Sequence, residues 1–269
     1  MNKTEQIHKN ILQENVVNKK DLKIIAKKVL GKKDSSYLQR KYLYRLQKDH
    51  KIKKIKKGLY YGIPLEKESE KFEVDRYILA NKIRQGYALG YHSALELFGA
   101  AYSATNTIYI LIQKKKRFNP FQFQNVVYQP VINKLSTTHL KKISYKNKQI
   151  IITDPARTFI ECLNRLDLCG GWEECLKSLA NLKSVTIPDL KDVLTLYDNK
   201  TLTLKTGYVL ELLSKVSPYY DHIKTKGLQT FKSSESWIPV YIDRDVPSKL
   251  NKKWGLFIPK GTDDLLRGI

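Results

Sequence analysis

The strongest constraint on this chain lies between residues 34 and 61, where a polar-capped basic helix pattern runs straight into a lysine-rich hairpin pattern. Asp34 or Ser35 can accept from the exposed backbone N–H groups of a helix start. At 100° per residue, Leu38, Tyr42, Leu43 and Leu46 share one side of the helix that follows. Ser36, Tyr37, Arg40, Lys41, Tyr44 and Lys48 share the other. Ile52-Lys53-Lys54-Ile55-Lys56-Lys57 then alternates imperfectly, Gly58 allows a turn or bulge, and Leu59-Tyr60-Tyr61 can return as a strand. A weaker helix pattern, Asp21 to Val29, comes before, ended by Gly31, and its Leu22, Ile25 and Val29 offer a partner for the apolar side. Helix, tight turn, helix and two-stranded wing, in that order, predict a winged helix-turn-helix.

Charge supports a polyanionic partner for that module. The chain has 269 residues and a formal net charge of +23. Residues 1–61 hold 18 Lys+Arg against 5 Asp+Glu, a surplus of +13 in under a quarter of the length. A concentrated basic segment releases counterions from a phosphate backbone. On the polar helix face, Arg40 has the geometry to bridge guanine O6 and N7, and Lys41 and Lys48 to meet phosphates. Tyr37 and Tyr44 can donate to phosphates or touch thymine methyl groups, and Ser35 and Ser36 sit at the helix entry. Lys53, Lys54, Lys56 and Lys57 on the wing suit phosphate contacts, which position a protein on DNA without reading sequence. The expected partner is double-stranded DNA, with an inverted-repeat operator fitting two such modules.

The remainder predicts a larger mixed α+β unit. Pro64 begins a charged connector over about 64–71, so the expected division is a DNA-binding domain at 1–62 and a second domain at 63–269. A helix is expected over about Phe72 to Gln85, and a short one from His92 or Ser93 to Gly99. Strand text occurs at Thr107–Ile112, Val126–Tyr128 and Ile150–Ile152, with two or three more strands between Phe118 and Ile143. Asp154 with Pro155 opens a helix, and others follow at Trp172–Leu182, Ile187–Leu196 and Leu202–Lys215. Strands return at Val240–Ile242 and Trp254–Pro259. Gly207 inside a helix points to close packing, since it otherwise costs about 1 kcal/mol.

Several functional classes lack their signatures. Cys162, Cys169 and Cys175 show neither C-x-x-C spacing nor a nearby His, which makes them small packing residues in a reducing compartment. The start, Met1-Asn2-Lys3-Thr4-Glu5, has no apolar core of a signal peptide, and there is no long apolar run. The expectation is a cytoplasmic protein away from membranes. No G-x-S-x-G, H-E-x-x-H or Walker loop occurs, and the five His sit in unrelated contexts. No enzyme activity, cofactor or metal is expected.

Four ordered segments resemble the AbiEi family, the antitoxins of type IV toxin–antitoxin, abortive-infection systems. They are the wing ending Gly58-Leu59-Tyr60-Tyr61, then Gly90-Tyr91-His92-Ser93-Ala94-Leu95, then Asp154-Pro155-Ala156-Arg157-Thr158-Phe159-Ile160-Glu161-Cys162-Leu163, and the tail Trp254-Gly255-Leu256-Phe257-Ile258-Pro259. The resemblance implies a winged-helix repressor with a C-terminal antitoxin domain, acting in phage defence. It also implies negative autoregulation of a two-gene operon and a nucleotidyltransferase-like toxin, neutralised directly or indirectly. It singles out Ser93, Asp154, Arg157, Thr158 and Glu161. Each of these also has a structural role open to it: Asp154 and Ser93 as helix caps, Thr158 as support for a cap, Arg157 and Glu161 as an ion pair four residues apart.

Overall fold

The computed structural model describes residues 2–64, 72–133, 137–232 and 238–267, so the expected connector falls almost wholly outside the described residues. The chain opens with α1 (Lys3–Glu14), started by a reciprocal capping box between Asn2 and Glu5. After β1 (Val16–Asn18), a second capping box between Asn18 and Asp21 starts α2 (Lys19–Leu30), and Gly31 ends it at φ 65°. A π turn over Leu38–Leu43 then runs into α3 (Tyr44–Lys48). The hairpin β2 (Ile52–Lys56) and β3 (Leu59–Gly62) follows, and β3 lies between the other two strands in the antiparallel order β1-β3-β2. Ile7, Ile11, Leu22, Leu38, Leu43 and Leu46 pack in the core beneath.

The helix, helix and hairpin follow the order expected from the sequence, with α1 and β1 added. The π turn explains the one difference in phase. A wide i→i+5 turn adds a residue per turn, so Leu43 rather than Tyr42 follows Leu38 into the core. Tyr42 is only half-buried and packs edge-on against Tyr37, with ring centroids 6.0 Å apart.

Further along lie α4 (Arg76–Ile83), capped by Asp75, then β4 (Tyr87–Leu89), α5 (His92–Leu97) and β5 (Thr107–Ile112). Next come β6 (Phe121–Phe123), β7 (Val126–Ile132), β8 (Leu140–Tyr145) and β9 (Lys148–Thr153). These strands take the order β6-β7-β5-β4-β9-β8, with β4 and β9 parallel at Leu89 and Ile152. The helices α6 (Pro155–Asn164), α7 (Gly171–Ala180), α8 (Ile187–Tyr197), α9 (Lys200–Leu213) and α10 (Thr225–Leu228) follow. The described chain ends with β10 (Val240–Tyr241), β11 (Ser248–Asn251), β12 (Leu256–Pro259) and α11 (Thr262–Leu265), its strands ordered β10-β12-β11.

The fold is therefore mixed α+β. It divides into two compact units, one of Met1–Tyr87, Pro120–Tyr128 and Ser144–Ile150, the other of Ala88–Asn119, Gln129–Ile143 and Ile151–Ile269. The second unit is centred on α6, α7 and α9, with Phe159, Leu176, Leu179, Leu210 and Trp254 in its core and the three free cysteines buried. Among the described residues no helix is long and apolar enough to cross a membrane.

Candidate nucleic-acid interface

The polar side of the π turn and α3 stands clear of the core. Ser36, Arg40, Lys41 and Lys48 are exposed, and so are Tyr37 and Tyr44, at 40% and 68%. Large aromatics left this open among cations give stacking faces and hydroxyl donors. The Lys41 ammonium lies 5.6 Å from the Tyr37 ring centroid. Through a hydrogen bond and its charge it lowers the Tyr37 hydroxyl, while Tyr37 raises Lys41, so the cation holds its proton throughout the neutral range.

Ser35 differs from its neighbours. It is buried, and its hydroxyl accepts from Gln39 Nε2 at 3.0 Å, so its side chain braces the helix entry instead of facing solvent. Asp34 accepts from the Ser36 backbone N–H at 3.2 Å and from the Ser36 hydroxyl. An open groove of about 510 Å³ beside the helix brings Lys3, Lys32 and Lys33 together with Tyr37, Arg40 and Tyr42. Lys3 and the Lys32-Lys33 turn were not singled out from sequence. The Asn2…Glu5 capping box was the available signal that Lys3 starts a helix.

On the β2–β3 hairpin, Lys54 and Lys57 are exposed and Lys53 is half-buried. Lys56 departs from the expectation of four equivalent phosphate ligands. Its ammonium sits over the Phe121 ring, 3.6 Å from the centroid, and burial together with the Arg84 charge pulls its pKa down to about 8.

The residues singled out in the second unit are structural in their placement. Ser93 is fully buried and accepts from the Tyr109 N–H at 2.9 Å; it does not cap α5, which starts from Tyr91. Asp154 caps α6 by accepting from the Arg157 N–H at 2.8 Å and also holds His139 Nδ1 at 2.9 Å. The other His139 ring nitrogen meets Asp192 at 3.0 Å. Thr158 shares a 2.7 Å hydrogen bond with Thr153. Arg157 donates from Nε to Glu161 Oε1 at 2.8 Å and from Nη1 to the Thr138 carbonyl at 2.6 Å, with both side chains of the ion pair fully buried. Asn133 Nδ2 and the Tyr197 hydroxyl also donate to that carboxylate, at 2.7 and 3.0 Å. Burial still outweighs Arg157 and holds the Glu161 carboxyl above its ordinary pKa. Such a pair contributes little net stability, yet losing one partner strands the other, at about 3–5 kcal/mol.

No family model matches the chain, and no curated protein does. Among solved structures, the crystal structure of the RV2827C protein from Mycobacterium tuberculosis is similar in fold. The TM-score is 0.65 over 95% of this chain and 91% of that one, at 15% sequence identity.

Proposed function

We propose that this chain is a DNA-binding repressor that serves as the antitoxin of a two-gene pair. It represses its own operon and neutralises a nucleotidyltransferase-like toxin in the cytoplasm. The observation that carries the DNA-binding half is the exposed face of Ser36, Tyr37, Arg40, Lys41, Tyr44 and Lys48, followed by the lysine-bearing β2–β3 hairpin, an arrangement that supports reading the module as a winged helix-turn-helix. An Arg among open tyrosines is suited to a base edge, with lysines to either side for phosphates. The antitoxin half draws on the ordered AbiEi-like segments.

A transcriptional regulator without a toxin is the competing reading. The burial of Ser93, Arg157, Thr158 and Glu161 favours it, because these residues present no surface to a partner. Growth with the adjacent gene induced, with and without this chain, separates the two. Toxicity relieved by co-expression is the expected result. A harmless neighbouring gene would leave the repressor and remove the antitoxin.

A further inference from the structure

We propose that the groove beside the π turn is a backbone clamp, in which Lys3, Lys32 and Lys33 hold successive phosphates on one strand of the duplex, next to the base edge met by Arg40. The proposal rests on the DNA-binding reading and extends its footprint to α1 and to the turn after α2. Stretches far apart in sequence line this groove of about 510 Å³: Lys3 at the start of α1, Lys32 and Lys33 after α2, and Tyr37, Arg40 and Tyr42 along the π turn. Lys3, Lys32, Lys33 and Arg40 are all exposed.

Local structure sets each cation in place. The reciprocal capping box of Asn2 and Glu5 makes Lys3 the first residue of α1. Gly31 turns the chain off α2, and the Lys32 N–H donates back to the Ala26 carbonyl at 3.3 Å. Ile7 and Ile11 of α1 share one core with Leu22 and Ile25 of α2 and with Leu38, so both helices and the π turn are packed together. The charge of Lys3 reaches the helix face: the Tyr37 hydroxyl, lowered chiefly by its hydrogen bond with Lys41, is lowered further by Lys3. Asp34 also lines the groove. Its carboxylate accepts from the Ser36 N–H at 3.2 Å and from the Ser36 hydroxyl, and four cations stand against it among the described lining residues. The net field across the groove is positive and concentrates anions there. Cations spread along an open groove fit a run of backbone phosphates better than one small anion, and the exposed Ser36 and Tyr37 hydroxyls add neutral donors.

Phosphate contacts made here are independent of sequence, so a fluorescent mixed-sequence duplex is the probe, titrated with the full chain over a salt series. Replacing Lys3, Lys32 and Lys33 together by Ala is expected to lower the slope of log affinity against log salt by about 2.7, or about 0.9 per lost contact. Replacing the same three by Arg keeps the charge and is expected to retain the wild-type slope. A matched variant, with Lys191, Lys224 and Lys226 replaced by Ala, removes exposed cations of the second unit and is expected to leave the slope unchanged. An equal fall in both Ala variants would assign the effect to net charge and overturn the clamp. A folded groove variant with the wild-type slope also overturns it and leaves the DNA-binding face standing. Saturable binding of inorganic phosphate, lost in that variant, would then make the groove a free-anion site; without it, an acidic protein segment becomes the better occupant. Failure of the wild-type chain to bind any duplex overturns both readings.

Discussion

Lys56 holds its ammonium 3.6 Å from the Phe121 ring centroid, and burial with the Arg84 charge brings its pKa to about 8 from the ordinary 10.5. Below about 8 the folded and unfolded chains both bind the proton, and between 8 and 10.5 only the unfolded chain does. Stability from this group therefore rises with pH across that window, and at pH 7 the charged form is a cost. The cation–π attraction, about 0.5–1 kcal/mol at such a site, offsets part of it. Lys56→Met keeps the apolar stem on Phe121 and removes the charge. It is expected to raise the urea midpoint at pH 7 and to abolish the gain between pH 8 and 10.5; a lower midpoint at pH 7 would show that the ring stabilises the ammonium outright. From sequence Lys56 is one lysine among four, because the ring that distinguishes it lies 65 residues further on. The Arg157–Glu161 pair was readable from its i,i+4 spacing, but Asn133 and Tyr197, which complete it, come from just past β7 and from the end of α8.

Elements with local signals were found where the sequence placed them, and those built from few contacts were not. The start of α6 at Asp154-Pro155 and the hairpin at Gly58 follow from rules spanning three or four residues. By contrast α1 buries only Ile7, His8 and Ile11, and β1 has three residues, too little periodicity to stand out. The π turn was invisible because a 3.6-residue period was assumed, and only the packing of Leu43 reveals the extra residue. Gly207 in α9 shows the opposite case, a sequence anomaly with a tertiary cause. A Cβ there would overlap the Trp254 ring and the Phe231 Cβ. Trp254 is 1% exposed and its indole N–H donates to Glu211, so the ring has no room to retreat. Gly207→Ala gains about 1 kcal/mol in helix propensity and loses about 1–3 kcal/mol to overpacking. Overpacking against a fixed ring is the larger effect, so the melting temperature is expected to fall. A rise would mean that Trp254 moves freely.

At the scale of the whole molecule, the proposed DNA binding would draw on a surplus of +23 that favours any duplex, so specificity would have to come from few residues. The sequence made the cationic excess plain but could not sort lysines into those on the helix face, those in the groove beside it and those paired with acids, since that depends on tertiary placement. Under the proposed DNA binding, Arg40 and Lys54 are the pair that would separate base reading from backbone binding. Both are exposed, one on the helix face and one on the β2–β3 hairpin. If Arg40 bridges a guanine, Arg40→Ala removes about 1–3 kcal/mol of discrimination between an operator defined by footprinting upstream of the gene and a mixed-sequence duplex. If Lys54 meets a phosphate, Lys54→Ala weakens both duplexes equally and lowers the salt slope by about 0.9. Affinities for the two duplexes, measured at several salt concentrations, decide both assignments. Equal losses on operator and mixed sequence for Arg40→Ala would make Arg40 a backbone contact, and the specificity would then belong to Tyr37 and Tyr44 or to the shape of the DNA.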